Sequence, residues 1–211
     1  MRLDFFPSSQ WDSLTQRLNQ EFPGKELLLT CRLFRDGGHW PNEKALERLP
    51  LLAQIANAHS VSWIDLEWEE RESLPQLSSN LEQTRILFSH HNFKDSYTFE
   101  EFQALADQAN TYSVDGFKMA LQFQKSDQEL VLYQVIQKKL FRNLLAAFSM
   151  GDLGKRSRIF SPALGAPWTY GYFGTEPSAP GQWSITELHE KFSSPETMGR
   201  LTELLQREGQ K

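Results

Sequence analysis

Cys31 is the only cysteine in 211 residues, so no internal disulfide can form, and a reducing compartment is its simplest home. Positive charge is also in deficit. Lys and Arg number 22 against 27 Asp and Glu, a formal net charge of -5, which argues against nucleic-acid binding through a basic face. A small anion is still accommodated if a few arginines gather locally. No apolar run reaches membrane-spanning length, and Met1 to Pro7 lacks the long apolar region of a signal peptide. The expectation is a soluble, cytoplasmic chain with no membrane or nucleic-acid partner. No Pro/Gly/Ser-rich linker or charge block divides the chain, so residues 1–211 read as one domain. H-E-x-x-H and paired-cysteine spacings are missing, and His39, His90, His91 and His189 are scattered, so no metal site is indicated. No G-x-G-x-x-G or P-loop follows the first strand, which removes support for nucleotide binding.

What is present is an alternation of short apolar runs with amphipathic ones. Arg2 to Phe6 reads as the tail of a strand, ended by Pro7. Ser8 or Ser9 caps a helix to about Phe22, with Trp11, Leu14 and Leu18 on one face. Strands follow at Glu26–Arg32, Val61–Glu67, Thr84–Ser89, Val114–Leu121, Asn143–Ser149 and Pro167–Tyr172. Between them lie helices at Asn42–Ala58 (Leu46, Leu49 and Ala53 inward), near Leu74–Gln83, from Thr98 to about Asn110, and at Ser126–Leu140; two more start at Ser184 and Pro195. Strand–helix alternation with short connections implies a parallel sheet covered by helices. Seven strands are one short of a closed eight-stranded barrel, and Arg32, Glu67, His91 and Lys118 sit at the C-terminal strand ends where barrel enzymes keep their chemistry.

Lys118 lies mid-way along an apolar run. Burial disfavours an ammonium and makes a buried lysine a usable amine nucleophile; the plainer alternative is a lysine that snorkels from a strand end. His91 is expected on a loop directly after a strand, a position suited to acid/base work. Neighbours in extended chain point to opposite sides, so His90 and His91 do not share a role. In Met150 to Arg158 the glycines allow a tight loop, from which Arg158 can clamp a carboxylate in bidentate geometry; a solvated basic turn is the alternative. Ser178-Ala-Pro-Gly-Gln182 is a Pro-Gly turn with two hydrogen-bonding side chains. Asp65 and Glu67 read as structural support, and Phe148 and Met150 as packing around the site.

Together these segments resemble type I 3-dehydroquinate dehydratase, the class that works through a lysine imine. Asp115-Gly-Phe-Lys118-Met-Ala120 matches the D-x-x-K-x-A around the imine lysine, and Ser89-His90-His91-Asn92-Phe93 matches S-x-H-[DN]-F, which selects His91 as general acid/base. Met150 to Arg158 matches M-G-x-x-G-x-x-S-R, ending on the carboxylate-binding arginine, and Ser178 to Gln182 matches the S-A-P-G-Q of the substrate lid. Thr30 to Gly38 looks like T-x-R-x-x-x-E-G-G, with Arg32 among the substrate-binding residues and Asp36 replacing the glutamate that orients the histidine. Arg2-Leu-Asp4 looks like the end of E-x-R-x-D, whose glutamate, with the first barrel strand and helix, would precede Met1.

The resemblance implies a TIM-type (β/α)8 barrel, here N-terminally truncated to about seven strands. It implies a hydro-lyase of the shikimate pathway that converts 3-dehydroquinate to 3-dehydroshikimate and water. Lys118, His91 and Asp36 would be catalytic, and Arg2, Arg32, Arg158, Ser178 and Gln182 would bind substrate. No metal or organic cofactor is expected, because the lysine itself supplies the electron sink. A homodimer is implied as well. Two rival expectations stand beside this one: a catalytically impaired or binding-only remnant of the family, and another Schiff-base lyase or aldolase on the same barrel, which the arginines and the lid disfavour.

Overall fold

The computed structural model describes residues 1–195 together with Thr197, Gly199 and Glu203. In chain order the elements are α1 (Trp11–Glu21), β1 (Leu28–Thr30), α2 (Arg48–Ala58), β2 (Trp63–Glu67), α3 (Leu74–Ser78), β3 (Arg85–His91), α4 (Phe99–Ala109) and β4 (Gly116–Gln122). There follow α5 (Gln128–Gln137), β5 (Leu144–Met150), α6 (Gly151–Gly154), α7 (Ser157–Ala163), β6 (Gly171–Tyr172), β7 (Trp183–Ser184) and α8 (Ile185–Ser193). Strands β1 to β5 make one sheet in sequential order, and β6 pairs with β7. The first three strands run parallel, with Leu29 beside Ile64 and Ile64 beside Ile86. Every residue of β2 is buried, as a strand covered on both faces requires.

Two compact units divide these residues, one of Met1–His90 with Val114–Phe117 and one of His91–Ser113 with the chain from Lys118 onward. The first is centred on Trp68, Phe88 and Phe117, whose rings meet edge-on at 5.5 to 6.4 Å. The second packs Ala120, Phe148 and Met150 against Tyr170, and sets Tyr133 edge-on to Phe160.

The α/β class and the strand–helix order are as expected, but the strand accounting changes. Arg2 makes a single parallel bridge to Thr30, after which Leu3–Phe5 turns as a 3-10 helix rather than extending as a strand. The Asp4 carboxylate accepts the backbone N–H of Arg32 and of His39, bonds that a strand neighbour would otherwise supply. Of the expected strand at Pro167–Tyr172 only Gly171–Tyr172 forms, and it pairs with Trp183–Ser184, which carries no strand signal in the sequence.

Asn42–Ala58 is not one helix but a 3-10 turn at Asn42–Lys44 followed by α2. Pro50 lacks an N–H and is tolerated only in a first turn, so the helix restarts at Arg48 and its phase is reset. Leu49 and Ala53 are buried as expected, whereas Leu46 is 52% exposed and Arg48 fully buried. No serine caps α1: a 3-10 turn at Ser8–Gln10 precedes it, and Leu14 and Leu18 are half-buried beside a buried Trp11. The helix expected from Pro195 falls largely outside the described residues.

Thr98 and Ser184 each close a reciprocal capping box with a glutamate three residues on. Thr98→Ala and Ser184→Ala should each cost about 1 kcal/mol, or about 2–4 °C in Tm for a chain of this size. Ser9→Ala, where no side-chain cap exists, should shift Tm by less than about 1 °C. Thermal denaturation of the three variants checks this.

Candidate active site

Within the second unit, the two-residue period of β4 sets Lys118 and Ala120 on one side. Ala120 joins the Phe148–Met150–Tyr170 cluster, and Lys118 Nζ lies 5.3 Å from the Tyr170 ring centroid. Lys118 is 8% exposed. Its Nζ is 2.8 Å from His91 Nε2, so the two nitrogens share a hydrogen bond in which one donates and the other accepts. His91 is the last residue of β3 rather than the first of the following loop. Asn92 ends the strand: its N–H donates to Ala120 O at 2.9 Å, and its Oδ1 accepts from the N–H groups of Lys94 and Asp95. That Asx turn is the physical content of the Asn/Asp position after the histidine. The Phe93 ring stacks on His91 at 6.1 Å. His90 faces elsewhere, its Nδ1 2.7 Å from Glu69 Oε1 in the first unit; the two histidines have separate partners, as expected.

Arg158 is presented from α7 by a turn that the motif residues build. Gly151 adopts φ +68°. A Cβ on Gly154 would lie 2.2 Å from Ser149 Cβ, so only glycine fits. The Ser157 hydroxyl donates to Gly154 O at 2.6 Å and accepts from Ser149 N–H, fastening the start of α7 to the end of β5. The Arg158 guanidinium then lies 4.1 Å over Phe148 and is 1% exposed. Among the described residues its Nε and Nη2 find no hydrogen-bond partner. Burial, offset only in part by Tyr170, brings its pKa down to about 10, which leaves a cation at neutral pH. A buried cation with open donors is an anion site in waiting.

The lid motif lies on that same turn. Pro180 O accepts from Gly151 N–H, and a Cβ on Gly181 (φ +71°) would come within 2.4 Å of Gly151 O. Gln182 Oε1 accepts from both the N–H and the hydroxyl of Ser178.

The first unit holds Arg2, Arg32 and Asp36. Arg2 grips Asp4 in bidentate fashion at 2.7 and 2.6 Å. Burial pushes Asp4 up, but the bonds and charge of Arg2, with the N–H of Arg32, outweigh it and hold the carboxyl below the usual range. Arg32 is buried, donates to Asp65 and to Ser89 Oγ (2.6 Å), and lies 3.3 Å from Glu67. Glu67 is clamped from its other side by Arg48 at 2.5 Å, and Arg48 also donates to Cys31 O and Ala45 O. Asp36 ends a 3-10 turn, and Gly37 (φ +76°) and Gly38 then carry the chain so close to Arg32 O that a Cβ on Gly38 would sit 2.1 Å from it. Burial, then Glu67 and Glu69, push Asp36 up to about 6, against Arg32 and Arg35. Cys31, whose thiol burial pushes up to about 12, is a packing residue.

Two residues escaped the sequence reading. Arg48 carried a usable signal, since Arg48, Leu52 and Ile55 share a helical face. Tyr170 carried none, because only the tertiary fold lays it against Lys118. A separate cavity of about 410 Å³, lined in part by Ser60, Ser62, Thr84 and Arg85, lies at the N-terminal ends of β2 and β3, the barrel face associated with stability. Among the described residues no cluster of three or more His, Cys, Asp or Glu could hold a metal, and no helix is long and apolar enough to cross a membrane.

Asp36 gives a pH prediction with a definite sign. Its folded pKa of about 6 exceeds the unfolded 3.8, so the native state holds the proton more tightly. The ionised form therefore destabilises the fold, not at all below pH 4, increasingly from 4 to 6, and fully above 6. Asp36→Asn should be more stable than the parent by roughly 1–3 kcal/mol at pH 7, and this advantage should vanish by pH 4. Urea denaturation at both pH values measures it; an equal advantage at both would refute the shift.

The family model of type I 3-dehydroquinase matches residues 1–197. A 3-dehydroquinate dehydratase of Dehalococcoides mccartyi is 30% identical over 199 residues, covering 92% of this chain and 84% of that protein. One from Desulfotalea psychrophila is 30% identical over 198 residues, with the same coverage of 92% and 84%. Among solved structures, 3-dehydroquinate dehydratase from Geobacillus kaustophilus matches with a TM-score of 0.77 at 24% identity, over 90% of this chain and 76% of that one. The type I enzyme from Clostridium difficile, solved with covalent modified comenic acid, matches at 0.76 and 23% identity, over 90% and 77%. These likenesses agree with the parallel sheet in giving the α/β, TIM-type barrel class. With nearly its whole length matched, the chain belongs to the type I 3-dehydroquinase family.

Proposed function

We propose that the chain dehydrates 3-dehydroquinate to 3-dehydroshikimate and water, as a hydro-lyase of the shikimate pathway, through an imine on Lys118. The observation that carries the reading is the 2.8 Å contact between Lys118 Nζ, within β4, and His91 Nε2, at the end of β3. His91 accepts the lysine proton, and the amine adds to the ring ketone. His91 returns that proton to the carbinolamine oxygen, which departs as water with a second proton from the nitrogen; this leaves a protonated imine, which acidifies the adjacent C–H, and a neutral His91. His91 removes that proton, and the electron pair of the C–H bond passes to the imine nitrogen as an enamine. The enamine then expels the hydroxyl one carbon further on, protonated by His91 as it leaves as water. A second water hydrolyses the imine, releases the product ketone and restores Lys118. The nitrogen is the electron sink, so these steps call on no metal or organic cofactor.

Arg158 takes the substrate carboxylate, a role supported by its burial and its open Nε and Nη2 donors. Ser178 and Gln182 hold hydroxyls from the lid. By family resemblance we assign Arg2 and Arg32 to substrate hydroxyls as well, and to Asp36 the orientation of His91. A cytoplasmic homodimer without nucleic-acid partners belongs to the same proposal, and sedimentation tests the dimer.

Borohydride reduction in the presence of 3-dehydroquinate should leave a product-sized adduct on Lys118, read by intact mass and peptide mapping. Lys118→Ala should remove it; an adduct mapped to another lysine sinks the assignment. His91→Ala should slow turnover by about 10²–10⁴-fold. Arg158→Ala should raise KM by at least about tenfold, the worth of a charge-assisted bond.

A further inference from the structure

Trp183 is the residue immediately after Gln182, and its surroundings tie it to a different part of the second unit. Its indole N–H donates to the carbonyl of Lys155 at 2.9 Å. Lys155 closes α6, so this bond satisfies one of the carbonyls that a helix end leaves without a partner. The Lys155 ammonium lies 3.8 Å from the centroid of the Trp183 ring and that of Lys191, from α8, at 5.5 Å. Two cations on one indole make a strong anchor for a half-buried ring.

The attachment is not isolated. Trp183 and Ser184 also pair with Gly171 and Tyr172, which holds the base of the intervening loop. Nearer its tip, Pro180 O and Gly181 rest on Gly151. The Ser178–Gln182 segment thus meets the stretch from Met150 to Arg158 at Gly151 and, through Trp183, at Lys155. Lys155 is three residues from Arg158, on the turn that the Ser149–Ser157 bond fastens.

We propose that Trp183 is a positioning residue: its indole rivets the lid segment to the turn that presents Arg158, so that Gln182 and Arg158 are set by one rigid connection. The proposal rests on the assignment of Gln182 and Arg158 to substrate made above. It makes Trp183 part of the binding of a carboxylate that it does not touch.

The test is Trp183→Phe, which keeps a ring beneath the two lysines and deletes the N–H. Two readouts are taken on the full chain. Amide hydrogen exchange, followed by mass spectrometry over Met150–Arg158, should accelerate about three- to tenfold, the worth of one neutral hydrogen bond. KM for 3-dehydroquinate should rise by a similar factor while kcat keeps at least half its value. Lys155→Met, which removes a cation from the ring and leaves the carbonyl in place, should move both readouts the same way by less, and it stands in if Trp183→Phe does not fold. Exchange unchanged over Met150–Arg158 overturns the proposal whatever KM does, and faster exchange with unchanged KM overturns it too. Faster exchange in a chain whose parent neither turns over 3-dehydroquinate nor forms the borohydride adduct upholds the rivet and defeats the dehydratase reading instead.

Discussion

Two nitrogens 2.8 Å apart can share a proton but cannot both point one at each other. That constraint between Lys118 and His91 organises the second unit. A lysine this deeply buried needs something to face, and its neighbours include an imidazole nitrogen in hydrogen-bond contact and the face of Tyr170. Neither fixes the proton irrevocably. An imidazole can accept it and return it within the same geometry, which a carboxylate partner, by favouring the ammonium, would resist. The ring face suits a cation at Nζ whether that cation is an ammonium or a protonated imine. On the proposed mechanism the positive charge at Nζ comes and goes, present in the ammonium and the protonated imine and absent in the free amine and the enamine, and His91 holds the proton that is shed.

The two units treat their buried arginines differently. In the first, the cations Arg32 and Arg48 are interleaved with the anions Asp65 and Glu67, and each side chain is bonded within the set. The cluster is balanced and offers a further anion little, and Asp36 beside it is raised by burial first and then by Glu67 and Glu69. In the second unit Arg158 is buried with no carboxylate bonded to it among the described residues and with two nitrogens unpartnered. Burying a charge is tolerable only if something pairs with it. For Arg32 and Arg48 the chain supplies that pair; for Arg158 the proposed substrate carboxylate would supply it.

How much of this was legible in the chain follows from which forces act locally. Strands β2 to β5 were readable because buried parallel strands are apolar along their length, and α4 and α8 because Thr98 and Ser184 announce capping boxes. His91, Lys118 and Arg158 were readable because the motif residues around them are unusual for ordinary strands and turns. Arg2–Phe6 misled because a side-chain carboxylate, Asp4, does the bonding of a strand neighbour, and no local pattern encodes that substitution. Leu46 misled through helix phase, which Pro50 resets. Tyr170 was illegible for a different reason: its importance lies wholly in what the fold sets against it.

The motifs therefore carry more backbone than chemistry. Of the residues from Met150 to Arg158, the proposed mechanism brings only Arg158 to the substrate. Gly154 is there because Ser149 Cβ would stand 2.2 Å from any side chain, Ser157 because its hydroxyl bonds both ways, and Gly151 because the lid rests on it. Thr30 to Gly38 divides in the same way: Gly38 has no room for a Cβ beside Arg32 O, whatever acid stands at position 36. A short pattern made of such steric requirements is more specific than its few catalytic letters suggest, because each glycine testifies to a neighbour elsewhere in the chain. That is why four brief segments, scattered between Ser89 and Gln182, sufficed to point to one family, while at position 36 aspartate keeps the carboxylate of the motif's glutamate on a side chain one methylene shorter.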